Sequence, residues 1–271
     1  MTTYFMRFRE WMVAEGMREL AKAYSDALKD VPENPVHHPE GTTLKHVKLV
    51  RRAILSAGQA LQDLKSEPAF DEILSNLDFR LSEDEVRVLI MAAWLHDIGK
   101  TTATTIGGTP FRDAPDLSGK IQAIGHEKPD HYAPQVDRLL ALAPDSTARF
   151  YESNKELINF LIERHMDFSH GGFPNRVISD YFEGGKVKND RRIKLLLVLM
   201  WADKMGRAKA ADLAQNMNKL RASAAKSLKV PRKSSAFSGT EEDFRAMLKS
   251  RGLDDASIES AVKAKFGGGQ G

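Results

Sequence analysis

A histidine and an aspartate stand side by side in Leu95-His96-Asp97-Ile98-Gly99-Lys100, directly after an almost wholly apolar stretch from Val86 to Leu95. An ionised carboxylate in such surroundings is costly unless a cation or hydrogen-bond donors meet it. The pair is either a hydrogen-bonded helix end or part of a metal site, and the apolar run before it and the Gly-Lys after it favour the metal. Asp203 is in the same position at the end of Leu195-Leu196-Leu197-Val198-Leu199-Met200-Trp201-Ala202-Asp203. Its counter-charge is either Arg207, four residues on, or a bound ion. His46 sits beside Val47 and one turn from Val50, His126 follows a glycine in Gly125-His126-Glu127, and His165 lies four residues after Leu161. Each alone has an ordinary structural explanation. Together, four imidazoles and two carboxylates spread over a helical core suit one or two divalent ions.

The chain has no cysteine. Disulfides, thiolate zinc sites and cysteine nucleophiles are therefore excluded, and a reducing, cytoplasmic setting is expected. Any metal must be held by His, Asp or Glu, a donor set that suits Mn, Ni, Co, Fe or Zn better than Ca, with Mg also admissible. A divalent ion makes hydroxide available near neutral pH and polarises phosphoryl oxygens. Asp97, with two carboxylate oxygens, is the natural bridge between two ions. Lys100 is placed to neutralise charge on a reacting phosphate, or else to complement a helix dipole. Lys204 and Arg207 either hold a substrate phosphate or orient Asp203. His131 matches no ligand position and is a candidate substrate contact; His170 reads as a loop residue. No glycine-rich phosphate loop and no Gly-x-Ser-x-Gly elbow competes with this site.

The elements that must position these residues read as helices nearly throughout, with no convincing alternating strand pattern. The spacing predicts a first helix from Tyr4 to Leu28, a three-proline loop from Pro32 to Gly41, and a second helix from Thr43 to Leu64. Ser82-Glu83-Asp84-Glu85 is a capping box that opens a central helix, with Gly99 closing it. Thr101 to Gly119 reads as a long surface loop of the kind that forms lids. Helices are expected after His126, from Ser153 to Phe168, over Arg176 to Phe182 with Gly184-Gly185 ending it, and from Arg191 into the 220s. The expected organisation is an N-terminal helix over 1–35, a main all-α domain over 36–230, a small helical hairpin over 231–266 and a disordered tail over 267–271.

Of 271 residues, 42% are hydrophobic and 28% charged, as in a soluble globular protein, and neither a membrane span nor a signal peptide is evident. The net charge is only +3, but Lys186 to Lys233 holds fourteen Lys and Arg against three Asp and Glu. That segment either faces an anionic substrate such as nucleic acid or is a solvated helix face.

His46, His96-Asp97 and Asp203 resemble, in order, the H…HD…D signature of the HD-superfamily metal-dependent phosphohydrolases. His126 and His165 resemble the two further ligands of the six-ligand variant, which holds two metals. Four segments are similar to the HD domain of bacterial tRNA nucleotidyltransferases, the CCA-adding enzymes: His38-Pro39-Glu40-Gly41, Leu95 to Lys100, Gly125-His126-Glu127, and Ala202-Asp203-Lys204-Met205-Gly206-Arg207. The likeness runs from about Val36 to Arg207. The 35 residues before it cannot house a nucleotidyltransferase domain, so CCA addition is not expected of this chain. The resemblance implies an HD helical bundle that hydrolyses 2′,3′-cyclic phosphates and 2′-phosphates, as do similar domains joined to polynucleotide kinases in RNA repair. The expected substrate is a nucleotide or RNA 3′-end phosphate. The alternatives are a nucleotidase or nucleoside-triphosphate hydrolase of the same superfamily, and a non-enzymatic regulatory scaffold.

Overall fold

A computed structural model describes residues 18–35, 38, 40–66, 68–167 and 180–207, together with positions 240–242, 245, 259 and 262. The helices are α1 (Arg18–Leu28), α2 (Thr43–Lys65), α3 (Pro68–Leu74), α4 (Glu83–Leu95), the single turn α5 (Lys100–Ala103), α6 (Pro129–Leu140), α7 (Asp145–Arg164) and α8 (Arg191–Gly206). They make the described chain mostly helical, as the periodicity predicts. No helix among the described residues is long and apolar enough to cross a membrane.

The core follows from which faces are apolar. Along α2 the residues His46, Val47, Val50, Ile54, Ala57 and Leu61 are buried, a stripe at helical spacing. The capping box at the start of α4 is formed: Ser82 Oγ accepts from the Glu85 N–H, and the Glu85 carboxylate accepts from the Ser82 N–H. Asp190 caps α8 by accepting from the Arg192 N–H. From Ile193 to Gly206, α8 is buried on nearly every face. It runs against α2, and α4 packs between α2 and α7. Gly206 permits the closest approach of α8 to α2, because a methyl group there would lie 2.9 Å from Val50 Cγ2 and 3.0 Å from its backbone nitrogen.

Several expectations need correction. The stretch expected to be a bare loop, Thr101 to Gly119, contains α5 and the strands β1 (Thr104–Ile106) and β2 (Thr109–Pro110). With β3 (Ile121–Ala123) they form a small antiparallel sheet in the order β2-β1-β3. Gly107 and Gly108, both at positive φ, make the two-residue turn that the twist of a hairpin favours. Gly184 and Gly185, also at positive φ, turn a second hairpin between β4 (Phe182–Glu183) and β5 (Lys186–Val187) rather than ending a helix. Strands of two or three residues are too short to show an alternating pattern. The central helix α4 ends at Leu95, not at Gly99, and α7 begins at Asp145 after Pro144, eight residues before Ser153. α8 stops at Gly206, where Arg207 turns to extended backbone, instead of continuing into the 220s. The N-terminal part of the first helix, the segment 168–179 with His170, residues 208–239 and the glycine-rich tail lie outside the described residues. Of the C-terminal hairpin, only the exposed Thr240 and the residues Glu241, Glu242, Arg245, Glu259 and Val262 are described, and the last five are placed in helix. Arg245 pairs with both Glu241 and Glu259.

Candidate metal centre

Five separate segments deliver the six predicted ligands to one buried spot. His46 comes from the first turns of α2, and His96 and Asp97 from the turn that ends α4. His126 lies between β3 and α6, His165 immediately follows α7, and Asp203 occupies the last turn of α8. All six are buried, His46 and His96 completely. Polar groups so enclosed must find partners among themselves or in a bound ion.

Three of the rings are held in the same way. His96 Nδ1 lies 2.9 Å from the Ala93 carbonyl oxygen, His126 Nδ1 2.7 Å from that of Ala123, and His165 Nδ1 2.6 Å from that of Ile162. A carbonyl only accepts, so each Nδ1 carries a proton, which leaves each Nε2 as the atom that can present a lone pair to an ion. Those lone pairs converge. His126 Nε2 and His165 Nε2 are 3.2 Å apart, and Asp97 Oδ1 lies 3.1 Å and 3.8 Å from them. His96 Nε2 has no hydrogen-bond partner and lies 3.4 Å from Asp97 Oδ2 and 4.0 Å from Asp203 Oδ1. His46 Nε2 completes the second group, 2.8 Å from Asp203 Oδ1 and 3.7 Å from Asp97 Oδ2. Such closely packed acceptor atoms repel unless protons or a cation sit among them, and a divalent ion can serve several of them at once. The residues therefore fit a divalent ion on His46, His96 and Asp203, and His96, Asp97 and His165 form a second group close enough to hold one, with His126 Nε2 beside it. Asp97 turns one oxygen to each.

The electrostatics agree. Burial pushes His96 and His165 below the usual imidazole range, into the neutral form that ligates. Burial also pushes Asp97 and Asp203 toward protonation, but neighbouring groups outweigh it and hold both well below the ordinary range. The His96 ring beside Asp97 and the Lys100 ammonium lower Asp97, and the cations Arg207 and His46 lower Asp203. His46 is the exception. Burial opposes its charge, but Asp203 on one side and Glu40 on the other draw it up to about 9. A metal ion at Nε2 takes the place of that proton.

An outer layer supports the ligands, and sequence reasoning missed most of it. Glu40 Oε1 lies 2.8 Å from His46 Nδ1 and 2.9 Å from His38 Nδ1. Glu33 Oε1 accepts from Thr43 Oγ1 at 2.9 Å and from Lys100 Nζ at 2.8 Å. The same Lys100 nitrogen lies 2.9 Å from Asp97 Oδ2. Glu40 had a signal in His38-Pro39-Glu40-Gly41; Glu33, in the proline-rich loop, had none. Lys100 begins α5 rather than ending α4, so the helix-dipole explanation of its charge does not hold. Arg207 Nη2 donates to Asp203 Oδ2 at 2.8 Å while Oδ1 faces the imidazoles, so the salt bridge and the ligand role coexist on one carboxylate. Lys204 is buried, engaged within the protein, and adds its charge beside Asp203. His131 is outside the cluster, half-buried, with Nδ1 3.2 Å from Thr102 Oγ1.

Gly99 has a role other than the helix stop expected of it. Its φ is −63°, ordinary for any residue. A methyl group there would overlap the His126 carbonyl oxygen. Gly99 thus lets the segment carrying His126 lie directly on the His96-Asp97 turn. Comparison with family models, curated proteins and solved structures finds no match to this chain.

Proposed function

We propose that this protein is a divalent-metal-dependent phosphohydrolase of the HD type, acting on 2′,3′-cyclic phosphates and phosphomonoesters at nucleotide or RNA 3′ ends. The observation that carries the reading is the convergence of imidazole lone pairs on both oxygens of Asp97, in a helical core, by the six residues of the HD-like signature. Ions held there supply an activated water and a Lewis acid for a phosphoryl oxygen. In the reaction water adds to phosphorus, one of the two cyclic ester P–O bonds breaks, and the freed ribose oxygen leaves with a proton. Asp97 sets the spacing of the two positions. Arg207 and Lys204 fix Asp203 through its outer oxygen and its surrounding charge. Lys100 holds Asp97 in place, and its third N–H, uncommitted among the described residues, is available to a phosphate oxygen.

The test is hydrolysis of 2′,3′-cyclic nucleotides, phosphomonoesters and deoxynucleoside triphosphates with Mn, Ni, Co, Mg and Zn. Asp97→Ala serves as the control. Cyclic-phosphate hydrolysis is expected in the wild type, with both metal content and activity lost in Asp97→Ala. Triphosphate hydrolysis alone would move the protein to the nucleotidase class. Full activity in Asp97→Ala would show that the chemistry lies elsewhere.

A further inference from the structure

We infer that the outer face of α2 is a binding track for the sugar–phosphate backbone of a single-stranded polynucleotide, an inference that extends the RNA-end reading above. The first observation is where the structure leaves positive charge uncompensated. Lys45, Lys48 and Arg52 are exposed and follow one another at spacings of three and four, so they share one face of α2, with exposed Leu49 among them. No Asp or Glu occurs between Gly41 and Gln62. Among the described residues, none of these three cations has an ion pair.

The second observation is a contrast. The charge excess expected to meet nucleic acid was at Lys186 to Lys233, yet the part of it that is described is spent inside the protein. Arg191 pairs with Asp84, Arg192 with Asp190, Lys194 with Glu85 and Arg207 with Asp203. Elsewhere Arg80 is paired with Asp78 and Lys155 with Glu152, whereas Lys22, Lys120, Lys128, Arg138 and Arg149 are exposed without an ion pair among the described residues, each apart from the α2 row. What sets Lys45, Lys48 and Arg52 apart from other exposed cations is alignment: three on one helix face, with no acidic residue among them, form a place for an external anion. Arg51, beside the row, is partly buried over the Trp94 ring and feels the repulsion of Arg52.

The third observation is position. Lys45 directly precedes His46, so the row starts at the end of α2 that enters the metal centre. It then runs about 10 Å along the helix to Arg52 at 1.5 Å per residue. A strand whose terminal phosphate occupies the centre can lay the following phosphates along this row. A repeating anion of that kind fits evenly spaced cations with no bidentate geometry, which is backbone rather than base recognition. Leu49 offers an apolar contact to a ribose or base between them.

The experiment is fluorescence anisotropy of a labelled single-stranded RNA with the full chain, in chelator so that nothing is cleaved, across a salt series. The variants are Lys45→Gln/Lys48→Gln/Arg52→Gln and, as control, Arg80→Gln/Arg192→Gln, which removes two exposed but paired cations. Circular dichroism verifies folding of both. The expected result is a loss of affinity of about tenfold or more in the triple variant. The slope of log K against log salt should also become shallower by about 2, as three phosphate contacts to a single strand require. The control should match the wild type. Equal affinity and slope in the triple variant, no RNA binding by the wild type, or preference for an acidic polypeptide over RNA would each overturn the inference. Hydrolysis of small cyclic nucleotides, measured separately, keeps the two claims apart. RNA binding that depends on the row without any hydrolysis leaves the track standing and removes the phosphohydrolase reading. Hydrolysis with RNA binding indifferent to the row does the reverse.

Discussion

At the scale of single residues, Lys100 shows how a buried charge acquires more than one duty. It lies between Glu33 and Asp97, within 3 Å of both carboxylates. Both partners are buried, and their attraction draws its pKa above the ordinary lysine value in spite of burial. Removing it leaves two enclosed carboxylates facing each other without a cation. Breaking a buried pair by taking away one partner costs about 3–5 kcal/mol, more than the pair itself contributes. Lys100→Met is therefore expected to lose stability on that order in urea unfolding with chelator present. Adding Glu33→Gln to it should recover part of the loss. If Lys100→Met unfolds at the wild-type midpoint, the lysine does not hold Asp97. Glu40 has a parallel position behind His46, and carboxylates so placed orient a ligating imidazole and raise its basicity.

At the scale of elements, the centre depends on how closely neighbouring segments approach. Gly99 and the His126 carbonyl are in direct contact, so Gly99→Ala must push the 125–127 segment away from the end of α4. Alanine's backbone suits the observed φ of −63°, so crowding is the only insult. The expected outcome is helical circular dichroism retained but metal content per chain reduced, because His126 leaves Asp97 Oδ1. Wild-type metal content would refute this. Glu85 couples two further elements, capping α4 through Ser82 and pairing with Lys194 of α8 at 2.9 Å. Burial alone would raise its pKa, but the bonds from Lys194 and the Ser82 N–H outweigh it and bring it below the ordinary 4.5. A depressed folded pKa contributes stability above the unfolded value and loses it as pH falls through the folded one. Glu85→Gln should thus cost about 1–2 kcal/mol at pH 7. The gap to wild type should shrink as pH drops below 4.5. A gap independent of pH between 7 and 3 would mean that the charge contributes nothing.

At the scale of the whole molecule, the six ligands tie α2, α4, the segment before α6, the end of α7 and α8 to one point. An ion bound there would cross-link these five segments, whose acceptor atoms otherwise crowd one another. Metal binding to the folded state alone stabilises it by about 2.7 kcal/mol at a hundredfold excess over Kd. For a chain of this size that corresponds to a shift of about 5–10 °C in the unfolding midpoint. Chelator treatment should lower the midpoint by this amount, and Mn or Ni should restore it. An unchanged midpoint, with metal shown to be removed, would mean that the centre holds no ion.

The sequence by itself determined the helical class and the six residues of the centre. Apolar runs ending in Asp97 and Asp203 demand a counter-charge wherever they are placed, and buried imidazoles at helical spacing restrict what that charge can be. The capping box at Ser82 and the buried stripe of α2 were legible for the same reason: their causes are local. What only the tertiary structure decided depends on contacts distant in the chain. The hairpins at Gly107-Gly108 and Gly184-Gly185 have strands too short to carry a period. Glu33 reaches Lys100 across 67 residues, and no spacing announces such a pair. Gly99 looked like a helix stop, whereas its missing side chain makes room for a carbonyl 27 positions away. The charge excess after Lys186 looked available, but through Arg207 its residues are largely paired, and a row of unpaired cations on one helix face lies instead on α2. Composition counts charges, but only the fold shows which of them have already been neutralised.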